Sequence, residues 1–354
     1  MSMPSQARRR IIFRIGLVVV AIAFALIWQH LQTPPAALLT EGKPETALAI
    51  EEPIQPIPSE LITDQAKFQL GEKLFKETRL SKNDEISCAS CHKLERGGVD
   101  GKRYSTGLNG AKTKVNTPTV FNVAYNFRFN WAGQHESLSA HTDKLVQNPA
   151  VMGSEWSDIR QRLEAMDEYR QAFESIYTGG ISKDSVIDAI VTYETALITP
   201  DAPFDQYLRG NQVALSAAEK EGYSLFKAYG CISCHQGTNV GGNMFQKFGV
   251  VGDYFADRGD IQKADLGRFN VTNDEADRYV FRVPSLRNVA MTSPYLHDGT
   301  AETLPEAIKI MVKYQLGRPI PDQHIDLMAQ FLKTLTGKYK GVPLHDMTNV
   351  TGDE

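Results

Sequence analysis

The 354-residue sequence has few cysteines, little net charge and few patterns typical of β-strands. Its four cysteines exclude a small secreted domain held together by many disulfides. Lysine and arginine number 38 against 42 aspartates and glutamates, and the net charge of −4 does not indicate a nucleic-acid-binding protein. Hydrophobic residues make up 42% and charged residues 23%, so the composition also excludes wholesale disorder. At about 150 residues per domain, the length predicts about two domains.

A long apolar run is found only near the N-terminus. Residues 15–28 contain no charged side chain, and four arginines lie between positions 8 and 14. Basic residues before an apolar run predict a cytoplasmic N-terminus and export of the remainder. Residues 1–30 are therefore either a membrane anchor or a signal peptide, with 23–25 as the small-residue cleavage candidate. The proline-rich residues 31–60 predict an extended tether.

The four cysteines form two copies of one motif. Cys88 and Cys91 precede His92, and Cys231 and Cys234 precede His235, each in the pattern C-x-x-C-H. Thiols at this spacing can add to the two vinyl groups of one haem, and the next histidine then ligates the iron. A redox-active dithiol or a four-cysteine zinc site does not need that histidine, although spacing alone leaves zinc open. The motifs predict two covalently bound haem c groups, and export agrees with this chemistry.

An internal repeat surrounds the two motifs. Gly71–Phe75 precedes the first and Gly222–Phe226 precedes the second, each within a helical pattern, the second opened by a capping box at 216–219. Further helical patterns cover 156–175, 183–198, 304–314 and 323–336. The predicted fold is mostly α, with two cytochrome-c-like domains. Their predicted ranges are 61–200 and 201–340, followed by a tail at 341–354.

Additional motifs accompany the haem motifs in a fixed order. They are the runs 97–101, 116–122, 203–210, 283–289 and 294–299, together with Trp131 followed by Gly133. Over roughly 61–340 the sequence thereby resembles the bacterial dihaem cytochrome c peroxidase family, which includes the methylamine-utilisation dihaem oxidase. The resemblance implies a periplasm-facing oxidoreductase that reduces hydrogen peroxide to water.

The resemblance also implies roles for individual residues. His235 and Met311 would ligate a high-potential, electron-accepting haem, because a thioether ligand favours ferrous iron. His92 would ligate the haem at which peroxide is reduced, and Trp131 would relay electrons between the two. The residues alone favour a core methionine at position 311 over an iron ligand. Trp131 can fill the domain seam as a buried aromatic and relay electrons at the same time.

The family's calcium positions match Asn116, Thr292 and Pro294. An amide oxygen and backbone carbonyls suit a hard cation such as calcium. The resemblance is what singles these residues out, since nothing else in the sequence marks them. Calcium is therefore an expected second kind of cofactor.

Three positions depart from the family pattern near the first haem. Leu108 replaces a histidine that ligates the resting iron in many members, His141 replaces a distal glutamine, and Val151 replaces a distal glutamate. Peroxide cleavage needs a group that takes up and returns a proton, which valine cannot do.

His141 has three readings on the sequence alone. It is a proton shuttle, a distal iron ligand, or a core residue that packs with Leu138 and Leu145. Glu136 and Glu155 flank the altered positions and are candidates for the missing carboxylate.

Three functions follow from these motifs. The leading hypothesis is a peroxidase that takes electrons from a small cytochrome c or cupredoxin, with a quinol as a less favoured donor. The alternatives are an electron-transfer dihaem cytochrome without catalysis, and a dihaem oxidase of a protein partner. In that oxidase a tyrosine takes the place of the methionine ligand, so Met311 argues against it. The expected location is the periplasmic side of the inner membrane, anchored by the N-terminal segment or soluble after its cleavage, and the resemblance suggests a homodimer.

Overall fold

The computed structural model describes residues 52–61 and 63–347, and this part of the protein is mostly helical, as the sequence predicts. Its α-helices are α1 (Gln65–Lys76), α2 (Cys88–Cys91), α3 (Leu138–Gln147), α4 (Trp156–Glu164), α5 (Asp167–Ile176), α6 (Lys183–Thr195), α7 (Pro203–Leu208), α8 (Ala217–Ala228), α9 (Tyr254–Arg258), α10 (Phe269–Thr272), α11 (Leu304–Met311), α12 (Asp322–Lys333) and α13 (Leu344–Met347). The strands form two antiparallel pairs, β1 (Phe245–Lys247) with β2 (Val280–Arg282) and β3 (Lys338–Tyr339) with β4 (Val342–Pro343). Long loops connect these elements.

The predicted N-terminal anchor or signal peptide lies outside the described residues. Within 52–61 and 63–347, no helix has both the length and the apolar character needed to span a bilayer. The described residues form one unit by their internal contacts.

The two halves repeat one helix pair. In the first half α1 crosses α6, and a Cβ on Gly71 would lie 2.0 Å from the carbonyl oxygen of Ala189. In the second half α8 crosses α12, and a Cβ on Gly222 would lie 2.1 Å from the carbonyl oxygen of Leu327. Only glycine permits backbones to approach this closely. The repeated glycine in the sequence therefore marks a repeated helix crossing beside each C-x-x-C-H motif.

Helix ends follow the local capping chemistry. Asp64 accepts hydrogen bonds from the first-turn amides of α1, and Ser216 and Glu219 form the predicted capping box of α8. The helix predicted over 156–175 is two helices, because the chain turns at Ala165 and Asp167 opens α5 with an acidic first turn. The apolar period continues across this turn, which is why it reads as one helix.

The beginning of the described chain packs on the second half of the fold. Ile54 and Ile57 are buried, and Ile54 joins the core formed by α7, α8 and α12. The Gly237 amide donates to the carbonyl of Pro53 at 2.8 Å. Residues 52–58 are therefore part of the fold and not of the tether predicted over 31–60, because Ile54 and Ile57 supply apolar surface among the prolines.

The end of the described chain packs on the first half. Leu344 of α13 is fully buried in a cluster with Phe75 and Phe121, and the Tyr339 ring lies 5.3 Å from that of Phe121. Residues 341–347 of the predicted tail thus cover the side of the core that carries Cys88. Each terminal segment covers the half of the fold that is remote in sequence.

Candidate active site

The second C-x-x-C-H motif opens onto a large cavity. The cavity has a volume of about 530 Å³, and Cys231, Cys234 and His235 line it together with Met311, the last residue of α11. Most of the remaining wall is apolar, with contributions from Phe226, Leu286, Ile308, Met328 and Leu332. The structure therefore places the predicted attachment cysteines and both predicted iron ligands around one space.

Each motif histidine is held in the form that a metal requires. His235 Nδ1 lies 3.3 Å from the carbonyl oxygen of Val240, and His92 Nδ1 lies 3.0 Å from that of Gly98. Burial lowers the pKa of His235 to about 4 and also lowers the pKa of His92, so both rings are neutral. Nδ1–H donates a hydrogen bond to the carbonyl, which keeps the proton on Nδ1 and leaves the lone pair of Nε2 for iron.

The four thiols are not arranged for the alternative chemistries. Burial raises the pKa of Cys88, Cys91 and Cys231, the last to about 11, whereas a redox-active dithiol needs a lowered pKa. All four cysteines are free. Among residues 52–61 and 63–347, no group of three potential metal ligands contains a cysteine, so the zinc alternative is excluded there.

A buried cation also lies on the wall of the cavity. Arg282 is 4% exposed, and its guanidinium donates to the Asn126 amide oxygen at 3.1 Å and to the Asn130 carbonyl at 3.3 Å. It has no carboxylate partner in the part of the chain that the structure describes, and burial lowers its pKa to about 10. An unpaired buried cation calls for an acidic group on a ligand. Haem carries two propionates, so the cavity, the neutral histidines and Arg282 together fit haem c.

Trp131 lies between the cavity and the first half of the fold. Its indole Nε1 donates to the carbonyl of Asn116 at 2.7 Å, and its own carbonyl accepts from the Arg282 amide at 2.9 Å. The ring meets His297 edge-on, with centroids 6.4 Å apart. His297 is fixed in turn by Asp265 at 2.6 Å. The predicted relay residue is therefore held rigidly at the cavity wall.

The three residues predicted for calcium all belong to the lining of this cavity. Asn116, Thr292 and Pro294 all line the cavity. The Asn116 amide nitrogen donates to the carbonyl of Lys102 at 2.9 Å, which leaves its amide oxygen available. These contacts are compatible with a cation site, which stays a prediction.

A different ligand-like cluster was not predicted. Asp265, His297 and Asp298 are buried within metal-ligand distance of one another. Arg258 already bridges the two carboxylates, at 2.5 Å from each. Because the guanidinium takes the place of a cation, the cluster is a closed network that supports Trp131.

The site of the altered family positions lies on the first half. Burial, followed by the electrostatic influence of His135, His92 and Arg282, lowers the pKa of His141 on α3 to about 3. Its Nδ1 is buried and has no hydrogen-bond partner within 52–61 and 63–347. Buried polar atoms are nearly always paired, so an orphaned imidazole nitrogen points to a function beyond packing.

The other altered positions form an apolar pair. The Leu108 amide donates to the carbonyl of Val151 at 2.9 Å, and Leu108 is buried. The two glutamates suggested as replacements lie elsewhere. Glu155 is exposed, and Glu136 is bound to Arg128 with 80% of its side chain exposed.

Two further titratable side chains near the first motif, one half-buried and one buried, were not predicted from the sequence. His135 lies against His141, with ring centroids 5.2 Å apart. Glu194 on α6 is buried near Cys88 with one carboxyl oxygen unpaired, and burial raises its pKa to about 8. The signal for His135 was its place between Trp131 and His141 in the sequence, whereas Glu194 follows a helical pattern like any surface glutamate.

Known proteins resemble the chain over most of its length. The profile of a family described as "Di-haem cytochrome c peroxidase" matches residues 65–213. Cytochrome c peroxidase Ccp of Escherichia coli is 43% identical over 81% of this chain, and the match spans 62% of that relative, less than two thirds of its length. Cytochrome c551 peroxidase of Nitrosomonas europaea is 39% identical over 82% of this chain and 86% of the relative.

A solved structure agrees with these relatives. The crystal structure of a MauG-like protein associated with microbial copper homeostasis matches with a TM-score of 0.69 and 30% identity, over 83% of this chain and 95% of that one. The diheme peroxidase BthA of Burkholderia thailandensis, at 18% identity and a TM-score of 0.65 over 77% of this chain and 86% of its own, shares the fold. With its motifs, its paired histidines and these relatives, the chain belongs to the dihaem cytochrome c peroxidase family.

Proposed function

We propose that this chain reduces hydrogen peroxide to water with electrons from a small redox protein, a cytochrome c or a cupredoxin. The observation that carries the proposal is the pair of neutral histidines, each fixed through Nδ1 beside a C-x-x-C motif, with Met311 on the cavity wall of the second. Two haem c groups, when bound, supply the electron storage and the peroxide-cleaving iron. The residues supply everything else.

The two ends of the site have different tasks. A histidine and a methionine raise the reduction potential of an iron, so His235 and Met311 suit the electron-accepting end. Trp131, held by its bonds to Asn116 and Arg282, provides an aromatic step toward the His92 end. At that end the neutral imidazole of His141 accepts a proton from peroxide and returns it to the departing oxygen.

Location and additional partners extend the same proposal. The arginine-flanked apolar run near the N-terminus directs the remainder of the chain to the periplasm. The run then either anchors the protein in the inner membrane or is cleaved off as a signal peptide. Asn116, Thr292 and Pro294 hold calcium near Trp131. The family resemblance favours a homodimer, and a quinol is the less favoured donor.

Steady-state peroxide consumption with a reduced small cytochrome c tests the proposal. Turnover in the range of ordinary enzymes, about 1–10³ per second, is expected. A rate no faster than that of free haem would overturn the proposal. His345→Gln on α13 is a matched control, because it removes an imidazole at a side chain that is 65% exposed.

An electron-transfer cytochrome without catalysis is the second candidate. The neutral His141 favours it, since an unprotonated imidazole can also ligate iron. Electron paramagnetic resonance of the fully oxidised protein separates the two functions. A high-spin signal indicates an open peroxide site. Two low-spin signals in the native protein, of which one is lost in His141→Ala, indicate that His141 ligates an iron.

A further inference from the structure

Two histidines lie against each other in the first half of the fold. The rings of His135 and His141 have centroids 5.2 Å apart. Phe129 stacks on His141 at 6.5 Å, and its amide donates to the His135 carbonyl at 3.0 Å, which fixes the His135 loop over α3. Among the residues that the structure describes, His141 Nδ1 is buried without a hydrogen-bond partner, while the His135 and His141 side chains as a whole are both half-buried. The two rings are in contact, and both side chains are partly exposed.

The proposed reaction requires protons to cross this position. One peroxide takes two electrons and two protons: its O–O bond breaks, and two water molecules form. The electrons come from the external donor of the proposed function, and the protons come from water. A neutral imidazole accepts one proton at a time, so His141, whose Nδ1 is buried, has to pass each proton to a second group before it accepts another.

The surroundings leave few groups for that exchange. Leu108 and Val151 are apolar, Glu136 is bound to Arg128, and Glu155 is exposed. In the described ranges, His135 is the titratable side chain whose ring contacts that of His141.

We propose that His135 relays protons between solvent and His141, so that two imidazoles do together what a distal carboxylate does in the family pattern. The inference rests on the proposed function. His141 meets the substrate, and His135, which acts through it, is a positioning residue. The relay fits the loss of the carboxylate at position 151, because it supplies an alternative proton path.

The charges around the pair set the direction of its pH dependence. His141 faces His135, His92 and Arg282, while His135 faces His141 and Lys144. Burial and then Lys144 lower the pKa of His135 below 6.5. Neutral His135 can take a proton from His141. His135 is therefore fully able to accept protons above its own pKa, and it loses this ability as the pH falls through that pKa.

Cyanide binding to the oxidised holoprotein provides a test without turnover. Hydrogen cyanide loses its proton as it binds ferric iron, and the pocket has to accept that proton. We expect a stopped-flow binding rate that falls on the acid side with a midpoint below pH 6.5. In His135→Gln this midpoint should vanish, and the binding rate should drop about tenfold. That loss is smaller than the factor of about 10²–10⁴ expected when a group that transfers the proton directly is removed.

A second variant guards against a merely structural effect. His135→Glu restores a titratable group of lower pKa, so part of the rate should return and the midpoint should move to lower pH. His345→Gln should leave the profile of the native protein unchanged. A His135→Gln profile with the native rate and midpoint would overturn the relay, as would a failure of His135→Glu to move the midpoint.

The relay and the peroxidase proposal fail in different ways. If the native protein turns over peroxide but His135→Gln changes neither turnover nor cyanide binding, the relay alone is wrong. If the native protein does not turn over peroxide yet shows the cyanide midpoint that His135→Gln abolishes, the relay is supported and the peroxidase function is wrong. Native protein that binds no cyanide has a closed site, which overturns the relay.

Discussion

Replacing Arg287 by methionine tests whether a buried ion pair holds the loop behind the second haem motif. Arg287 and Asp205 are completely buried, with Nη1 2.7 Å from the carboxylate. The guanidinium also donates to the carbonyls of Thr238 at 2.9 Å and Gln55 at 2.8 Å. It thus joins α7, the loop after His235 and the first described segment of the chain.

The size of the effect follows from what the substitution leaves behind. Methionine removes the charge that faces Asp205 and takes a donor away from two partly buried carbonyls. Breaking a buried ion pair costs about 3–5 kcal/mol, against a total of about 5–15 kcal/mol for a domain. With a urea slope near the upper end of about 1–3 kcal/mol per molar, the midpoint should fall by about 1 M or more.

Urea unfolding of the holoprotein, followed by circular dichroism, measures that shift. Lys309→Met is a matched control, because its partner Asp322 is 79% exposed and an exposed pair contributes at most about 1 kcal/mol. The double variant Arg287→Met/Asp205→Asn removes both charges and should recover at least half of the loss. The reasoning is refuted if Arg287→Met loses less than about 1 kcal/mol, or if the double variant is no more stable than the single one.

Three further predictions concern the helix crossings, a buried acid and an iron ligand. Gly71→Ala and Gly222→Ala should each lower the free energy of unfolding by about 1–3 kcal/mol or more, because the new Cβ meets a carbonyl oxygen. Gly179→Ala is the control, since its Cβ would meet no atom within 4 Å and should not destabilise the protein. Urea unfolding measures all three variants. Glu194 has a folded pKa of about 8 against 4.5 in the unfolded chain, so native stability should fall by up to about 1.4 kcal/mol per pH unit between those values, and Glu194→Gln should flatten that slope. Equal slopes would contradict the burial of a neutral acid. Met311→Leu should lower the reduction potential of the second haem in a spectroelectrochemical titration, and an unchanged potential would exclude methionine ligation.

Local patterns in the sequence predicted much of the fold. The apolar stripe of α1, the capping box of α8 and the start of α11 at Leu304 depend on residues within one or two turns of each other, and the structure has them as expected. The repeated glycines at 71 and 222 carried more information than their spacing suggested, since each allows a close helix crossing. Features that depend on contacts between sequence neighbours, such as helix starts and caps, could therefore be predicted from the sequence.

Contacts between remote segments were beyond the sequence pattern. Nothing local shows that Ile54 packs on α8, or that Leu344 packs on the first half of the fold, because each partner lies more than a hundred residues away. The same limit hid His135. Its importance depends on a ring contact with His141, which a loop turn creates and periodicity does not encode.

The three altered positions near the first haem motif make physical sense as a set. The Leu108 amide donates a hydrogen bond to the Val151 carbonyl, and the Leu108 side chain is buried. A carboxylate at position 151 would therefore lie beside an apolar, buried neighbour and lose solvation. Apolar side chains at both positions avoid that cost and remove the carboxylate as a proton acceptor. The proton chemistry then requires another group, and the family's glutamine position carries His141, whose neutral imidazole can accept a proton. With His135 in contact with it, the replacement of a carboxylate by valine changes the proton path without requiring the loss of peroxide chemistry.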